Sequence, residues 1–338
     1  MSATSPVSRS RPVARLVALL TAAVLTATLA AVVLAAPAPA KGKPGPGTPP
    51  TPSTAKRVGV STEGAPGGAE LQQLVSQLGR VPDEVMWFVA WGLQTGFPAE
   101  DAARVRSLGA TPVITWEPWD TAQGADQTTY SMRSIAAGQH DAYVRGLARA
   151  VRGFATPVVI RFAHESNGTW YPWSPGVAGT TAADAVAAWR RVRDVFRKER
   201  ATNAVFRWSP NVPFPGSTPM AQVWPGSSYV DQVGLDGYNW AGHLSGTTWL
   251  RFYDVVAQGL AELGTLTSLP VHVSETATPE SAPDGTGDKA AWIRDMFTTL
   301  RADPRLACVT WFHHRKELDW RIDSSPTALE AFRTSWAG

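Results

Sequence analysis

Two glutamates, Glu165 and Glu275, lead the residues of this 338-residue chain that could do chemistry. Each closes a short apolar, β-branched run, Glu165 in VVIRFAHESNGTWYPW and Glu275 in VHVSETA. The first run passes Arg161 and His164, then breaks at Asn167-Gly168 into a loop carrying Trp170, Tyr171 and Trp173. Alternation along a strand is expected to set Arg161 and Glu165 on one face and Phe162 and His164 on the other. An arginine two residues deeper than a glutamate is costly unless paired, so the two are expected to share a polar network. Two carboxylates flanking a cleft of tryptophans can hydrolyse a glycosidic bond: one protonates the departing oxygen while the other attacks the anomeric carbon or activates water. The short separation of about 5 to 5.5 Å, which goes with retention, is expected. The alternative is plainer, with Glu165 capping a helix or pairing with a surface arginine and Glu275 serving only Arg161.

The surroundings divide the roles. Glu165, among apolar and aromatic neighbours, is the better candidate for a carboxyl kept protonated by burial, hence the acid/base. Glu275 is then the nucleophile, and Tyr238 at a neighbouring strand end can donate a hydrogen bond to it. Of 15 tryptophans, several fall at strand ends and in loops. Trp170, Trp173, Trp208, Trp240 and Trp311 are expected to form a stacking floor for an extended sugar chain, with Trp116 on the same rim. Glu117 in TWEPW is a third rim carboxylate, for a sugar hydroxyl or for a rim arginine. Trp87, Trp189 and Trp292 sit inside apolar patterns and are expected in the core.

These residues need a scaffold that brings strand ends together. Eight apolar segments recur about every 35 residues with helical patterns between them, as in repeated βα units. They cover 57–62, 84–91, 111–119, 156–166, 204–211, 229–239, 269–277 and 306–314. Near-continuous apolar runs fit a parallel sheet covered on both sides. Eight units in about 280 residues predict an α/β fold, a closed (β/α)8 TIM barrel, with chemistry at the carboxyl ends of its strands and mainly apolar interiors. No G-x-G-x-x-G opens the first helix and no G-x-S-x-G occurs, so neither a dinucleotide fold nor a serine nucleophile is indicated. His272, His313 and His314 are histidines without a metal pattern, since adjacent strand residues face opposite ways and the first strand lacks His-x-His. Neither a metal nor a cofactor is called for.

The first 56 residues differ from the rest. Arg9, Arg11 and Arg15 precede an apolar run, 16–36, and Ala38-Pro39-Ala40 has a cleavage-site pattern, so residues 1–40 read as an export signal. The run is also just long enough to span a bilayer, which leaves an uncleaved anchor as the alternative and the only route to a membrane. Residues 41–56 read as a Pro/Gly-rich tether and 57–338 as the folded domain. Cleavage after Ala40 removes three arginines and no acidic residue, taking the formal charge from +3 to zero. A neutral domain lacks the cationic surplus that nucleic acid requires. Cys308, the single cysteine, cannot form an internal disulfide, so a large core must supply the stability. The expected product is a secreted monomer whose partner is a β-linked polysaccharide.

RFAHESNGTWYPW, VGLDGYNW, VSETA and WFHHRKELDWRIDSS together resemble glycoside hydrolase family 26, the retaining β-mannanase family, over residues 57 to 336. The resemblance implies Glu165 as acid/base and Glu275 as nucleophile on strands four and seven, His164 as a neighbour orienting the acid/base, Tyr238 as the partner of the nucleophile, and Trp170 and Trp311 as sugar-stacking residues. It implies an endo-β-1,4-mannanase, with a β-1,3-1,4-glucanase on the same fold as the alternative and a non-hydrolytic glycan-binding barrel as the remoter one. Glu117 stands where mannanases of the family have a Trp-His pair, a departure that resembles the mixed-linkage glucanase branch as much as the mannanase branch.

Overall fold

The computed structural model describes residues 55–94 and 96–338, so the export segment and nearly all of the tether fall outside it. Within the described residues no helix is long and apolar enough to cross a membrane. Eight strands, β1 Arg57–Thr62, β2 Glu84–Ala90, β3 Thr111–Glu117, β4 Val158–Phe162, β5 Ala204–Trp208, β6 Gln232–Asp236, β7 Val271–Thr276 and β8 Leu306–His313, form one parallel sheet. They pair in sequence order, and β8 closes back onto β1. This is the expected (β/α)8 barrel, with every expected strand present and most of them shorter at the carboxyl end.

The helices follow from local sequence. In the connection from β4 to β5, Thr181 and Asp184 form a reciprocal capping box that opens the helix Ala182–Lys198. That helix buries Ala185, Ala188, Trp189, Val192 and Phe196 at helical spacing against the sheet. Trp87, Trp189 and Trp292 are buried, as expected of core residues.

The lumen departs from expectation. Most apolar strand side chains face outward to the helices, and only a thin layer of Met86, Val113 and Val159 forms a separate cluster inside. Charged layers lie on either side of it. At the amino-terminal end of the strands, Arg207 donates to both oxygens of Glu84 at 2.8 and 2.9 Å, Arg57 approaches Glu84 at 3.0 Å, and Gln232 accepts from Arg207. Towards the carboxyl end, Arg161 meets Asp236 and Glu275. Between them the bore narrows at Gly234, where a Cβ would collide with the hydroxyls of Ser209 and Ser274. Apolar residues therefore seal the barrel from outside while ion pairs fill its bore.

Candidate active site

β4 ends at Phe162, four residues before its expected end, because the chain turns left-handed at Ala163 (φ 45°) and Glu165 (φ 49°). Such a conformation costs roughly 1 kcal/mol per non-glycine residue and persists only where neighbours hold it. Here the Ala163 amide donates to the Trp116 carbonyl at 3.1 Å and the Glu165 amide to the Ser209 carbonyl at 2.7 Å, tying the turn to β3 and β5. Simple alternation therefore stops before His164, which was expected on the face opposite Arg161. Instead Nε2 of His164 lies 4.0 Å from Oε1 of Glu275.

Arg161 organises the floor of the mouth. Fully buried, it donates to Thr115 Oγ1 (2.8 Å), Ser209 Oγ (3.0 Å) and Glu275 Oε1 (2.8 Å), and pairs with Asp236. The other oxygen of Glu275 accepts from the Tyr238 hydroxyl at 2.6 Å. Burial and the charges of Glu275 and Glu165 push the Tyr238 hydroxyl far up, so it stays a donor. Glu275 thus accepts a hydrogen bond at each oxygen, from Arg161 and from Tyr238, which fixes the orientation a nucleophilic carboxylate needs.

Glu165 is placed differently. Its Oε2 accepts from the Trp170 indole at 2.8 Å, and among the described residues no arginine or lysine pairs with it directly. Burial, reinforced by the charge of Glu275, raises its carboxyl to about 8. At neutral pH the carboxyl then keeps its proton and can donate it. Glu117 is likewise raised to about 8, by burial first and Glu275 second. Asp236 is pushed well above its ordinary range by burial, despite Arg161, with Glu275 and Glu165 adding to the rise. Four carboxyls crowd one buried guanidinium, and they cannot all be ionised. Burial and Arg161 drive His164 well below its ordinary value, so its imidazole is neutral. It packs among Phe88, Tyr171 and Trp173 rather than bonding Glu165.

The tryptophans divide sharply. Trp170 is 40% exposed and stacks on Phe214 with ring centroids 5.4 Å apart, while Trp240 is half-buried near Tyr238 and against Trp320. Trp116, Trp173, Trp208 and Trp311 are at most 2% exposed and cannot stack on a sugar. Trp116 packs behind the sheet against Trp91 and Phe162, Trp208 against Trp224, and Trp311 against Trp292 and Phe332. Trp173 supports the catalytic loop from beneath, donating to the His164 carbonyl at 2.6 Å. Alternation explains three of the four: Glu117 faces the bore, so its neighbour Trp116 faces the helices, and Trp208 and Trp311 likewise flank inward residues. Arg161 and His164 are also buried, and they shape the floor rather than meet a ligand directly.

Other residues of the mouth are given no role by the sequence reading. Asp236 completes the Arg161 network. Tyr171 stacks on Trp173 with centroids 4.2 Å apart, and Trp320, Phe312 and His314 build the wall beside Tyr238. Trp320 comes from the loop after β8, which Lys289 ties down by donating to the carbonyls of Asp319 and Arg321.

The three histidines do not converge. His314 bonds Ser61, His313 accepts from the Ile322 amide, and His272 lies at the opposite end of the barrel. Among the described residues one trio, Glu84, His272 and Cys308, has metal-ligating atoms within 4.8 Å of one another. It suits a metal poorly, because both oxygens of Glu84 are held by arginine and burial drives the Cys308 thiol up, keeping it protonated.

The profile of glycosyl hydrolase family 26 matches residues 99–274, a span that takes in Glu117, Arg161, Glu165, Asp236 and Tyr238 and stops one residue short of Glu275. Endoglucanase H of Acetivibrio thermocellus is 32% identical over 282 residues, which is 82% of this chain and 30% of that protein. A mannan endo-1,4-beta-mannosidase of Bifidobacterium adolescentis is 32% identical over 103 residues, 29% of this chain and 10% of that protein. The chain thus spans less than a third of the length of either relative. Among solved structures, the catalytic domain of the Bacillus sp. JAMB-750 endo-beta-1,4-mannanase superposes with a TM-score of 0.63 at 21% identity, covering 84% of this chain and 86% of that one. A modular endo-beta-1,4-mannanase of Cellulomonas fimi gives 0.63 at 16% identity, over 83% and 71%. At those identities the likeness establishes the barrel.

Proposed function

The chain belongs to glycosyl hydrolase family 26, and on that footing we propose that it is a retaining endo-β-glycanase acting on β-1,4-mannan. The observation that carries the reading is the contrast between two glutamates at one mouth. Glu275 is held at both oxygens by Arg161 and Tyr238, whereas Glu165 accepts from the Trp170 indole and is raised to about 8. The first is ready to attack an anomeric carbon and the second to protonate the oxygen that leaves. In the second half-reaction Glu165, now ionised, takes a proton from water as that water opens the glycosyl ester on Glu275. Trp170 and Phe214, beside Glu165, offer an aromatic face to the leaving side of the polymer.

A second reading, mixed-linkage β-glucan, is favoured by one observation: the relative matched along most of the barrel is named an endoglucanase, while the named mannosidases match under a third of the chain. The deciding assay measures reducing ends released from galactomannan and from lichenan by the 57–338 barrel. Proton NMR of the first products reads the anomer. Retention with release from galactomannan supports the proposal. Release from lichenan alone moves the substrate to glucan, and inversion or no release from either overturns the mechanism. Replacing Glu275 by Ala should lower kcat by on the order of 10⁴ or more while oligosaccharide still binds. We further propose that the chain is exported, on the pattern of residues 1–40.

A further inference from the structure

Most buried acids of the barrel bore have a strong partner: Glu84 has Arg207, Asp236 and Glu275 have Arg161, and Glu165 has the Trp170 indole. Glu117 differs. It ends β3 on the inward face, two residues beyond the Thr115 that accepts from Arg161, and is only 6% exposed. No cation lies within ion-pairing distance among the described residues. The Trp119 indole lies close enough to lower the Glu117 carboxyl, yet its buried N–H has no partner at full hydrogen-bond geometry. A carboxyl and an N–H, both short of partners in a polar cleft, form a site awaiting the hydroxyls of a ligand.

We propose that Glu117 and Trp119 are the sugar-reading pair of the cleft, gripping hydroxyls of the glycosyl unit that is transferred to Glu275. This rests on the glycanase reading above and adds the residue that recognises the sugar. The side of the cleft follows from geometry, since Glu117 lies two residues beyond Thr115, which shares Nη1 of Arg161 with Glu275, while Trp170 and Phe214 lie by Glu165. The groups facing Glu117 are Glu275 on β7, Arg161 on β4, Tyr171 on the β4 loop and Lys316 after β8. Burial and Glu275 outweigh the Trp119 indole, Arg161 and Lys316, and the carboxyl keeps its proton to about pH 8. A protonated carboxyl donates one hydrogen bond and accepts another, which matches a sugar hydroxyl; an ionised one only accepts. Glutamine keeps the donor and acceptor at every pH, and alanine keeps neither.

The test measures KM and kcat, together with affinity electrophoresis, on galactomannan and lichenan from pH 5 to 9.5 for the parent, Glu117→Gln and Glu117→Ala. The parent should lose affinity as pH rises past 8. Glu117→Gln should bind two- to threefold more weakly at pH 6 but show no such alkaline loss, and Glu117→Ala should bind about tenfold more weakly throughout. Since Glu165 governs the alkaline fall of kcat, that fall should persist in Glu117→Gln. The proposal is overturned if Glu117→Ala binds as the parent does, if Glu117→Gln keeps the alkaline loss, or if Gln weakens binding as much as Ala. A parent that binds but releases no reducing ends refutes the hydrolase reading, and electrophoresis still decides the role of Glu117. A parent that binds neither polymer overturns both. Should Glu117→Ala fail to fold, the pH dependence of Glu117→Gln decides alone.

Discussion

The bore of this barrel holds two arginine-centred clusters, and they differ in one respect: the ratio of cations to carboxyls. At the amino-terminal end Arg207 and Arg57 serve a single carboxylate, Glu84. Burial would raise that carboxyl, but Arg207 overwhelms it and Glu84 falls to about 2. At the carboxyl end a single Arg161 faces Asp236, Glu275, Glu165 and Glu117. There the negative charge exceeds what one guanidinium can neutralise, and Glu165 and Glu117 hold protons to about pH 8. The same residue types make a plug where charges balance and a proton-bearing site where they do not.

The largest effect that would sharpen this contrast is on turnover. Arg161→Met should reduce kcat by roughly 10²-fold or more, because Glu275 loses its anchor and an acidic cluster loses its buried counter-charge. Arg207→Met should leave kcat per folded molecule close to that of the parent. Both should lose stability on the order of 3 to 5 kcal/mol, since each strands a buried carboxylate, so urea unfolding run beside kinetics separates the two ends. Equal kinetic damage from both would break the comparison.

The next effect is on stability against pH, where the two ends act with opposite sign. Glu84, lowered from 4.5 to about 2, contributes stability that is present above pH 4.5 and lost as pH falls towards 2. Glu117 and Glu165 bind protons in the folded state that the unfolded chain has released, so stability falls as pH climbs from 4.5 to about 8. Melting temperature should therefore peak near pH 5 and decline on both sides. Glu165→Gln with Glu117→Gln should flatten the alkaline decline and leave the acid one in place, as scanning fluorimetry can follow. The smallest effect concerns the tryptophans. Trp170→Ala should raise KM several-fold by removing a stacking face, whereas Trp311→Phe should cost stability of about 1 to 3 kcal/mol and leave KM alone.

Much of this was legible in the sequence. Strand count and barrel closure follow from eight apolar runs alternating with helical patterns in about 280 residues, and the shared mouth of Glu165 and Glu275 from the way a barrel gathers its strand ends. Arg161 and Tyr238 were likewise readable as partners of Glu275. The tryptophans were misread where composition was allowed to outweigh alternation: Trp116, Trp208 and Trp311 adjoin inward-facing residues and had to point outward. His164 was misplaced for another reason, since no pattern announces a left-handed alanine at 163 or glutamate at 165. Asp236, Tyr171 and Trp320 have no role readable from the sequence, because their roles arise from neighbours distant in sequence. The lower plug escaped too, although the strand-borne Glu84 and Arg207 were visible as charges in apolar runs.

One measurement bears most directly on the unequal upper cluster as a covalent catalyst. The barrel is incubated with 2-deoxy-2-fluoro mannosides and glucosides carrying a good leaving group, and the modified peptide is mapped by mass spectrometry. The account predicts one glycosyl unit esterified to Glu275 and none on Glu275→Ala. A label on Glu165 or Glu117, or labelling that survives the loss of Glu275, would contradict it.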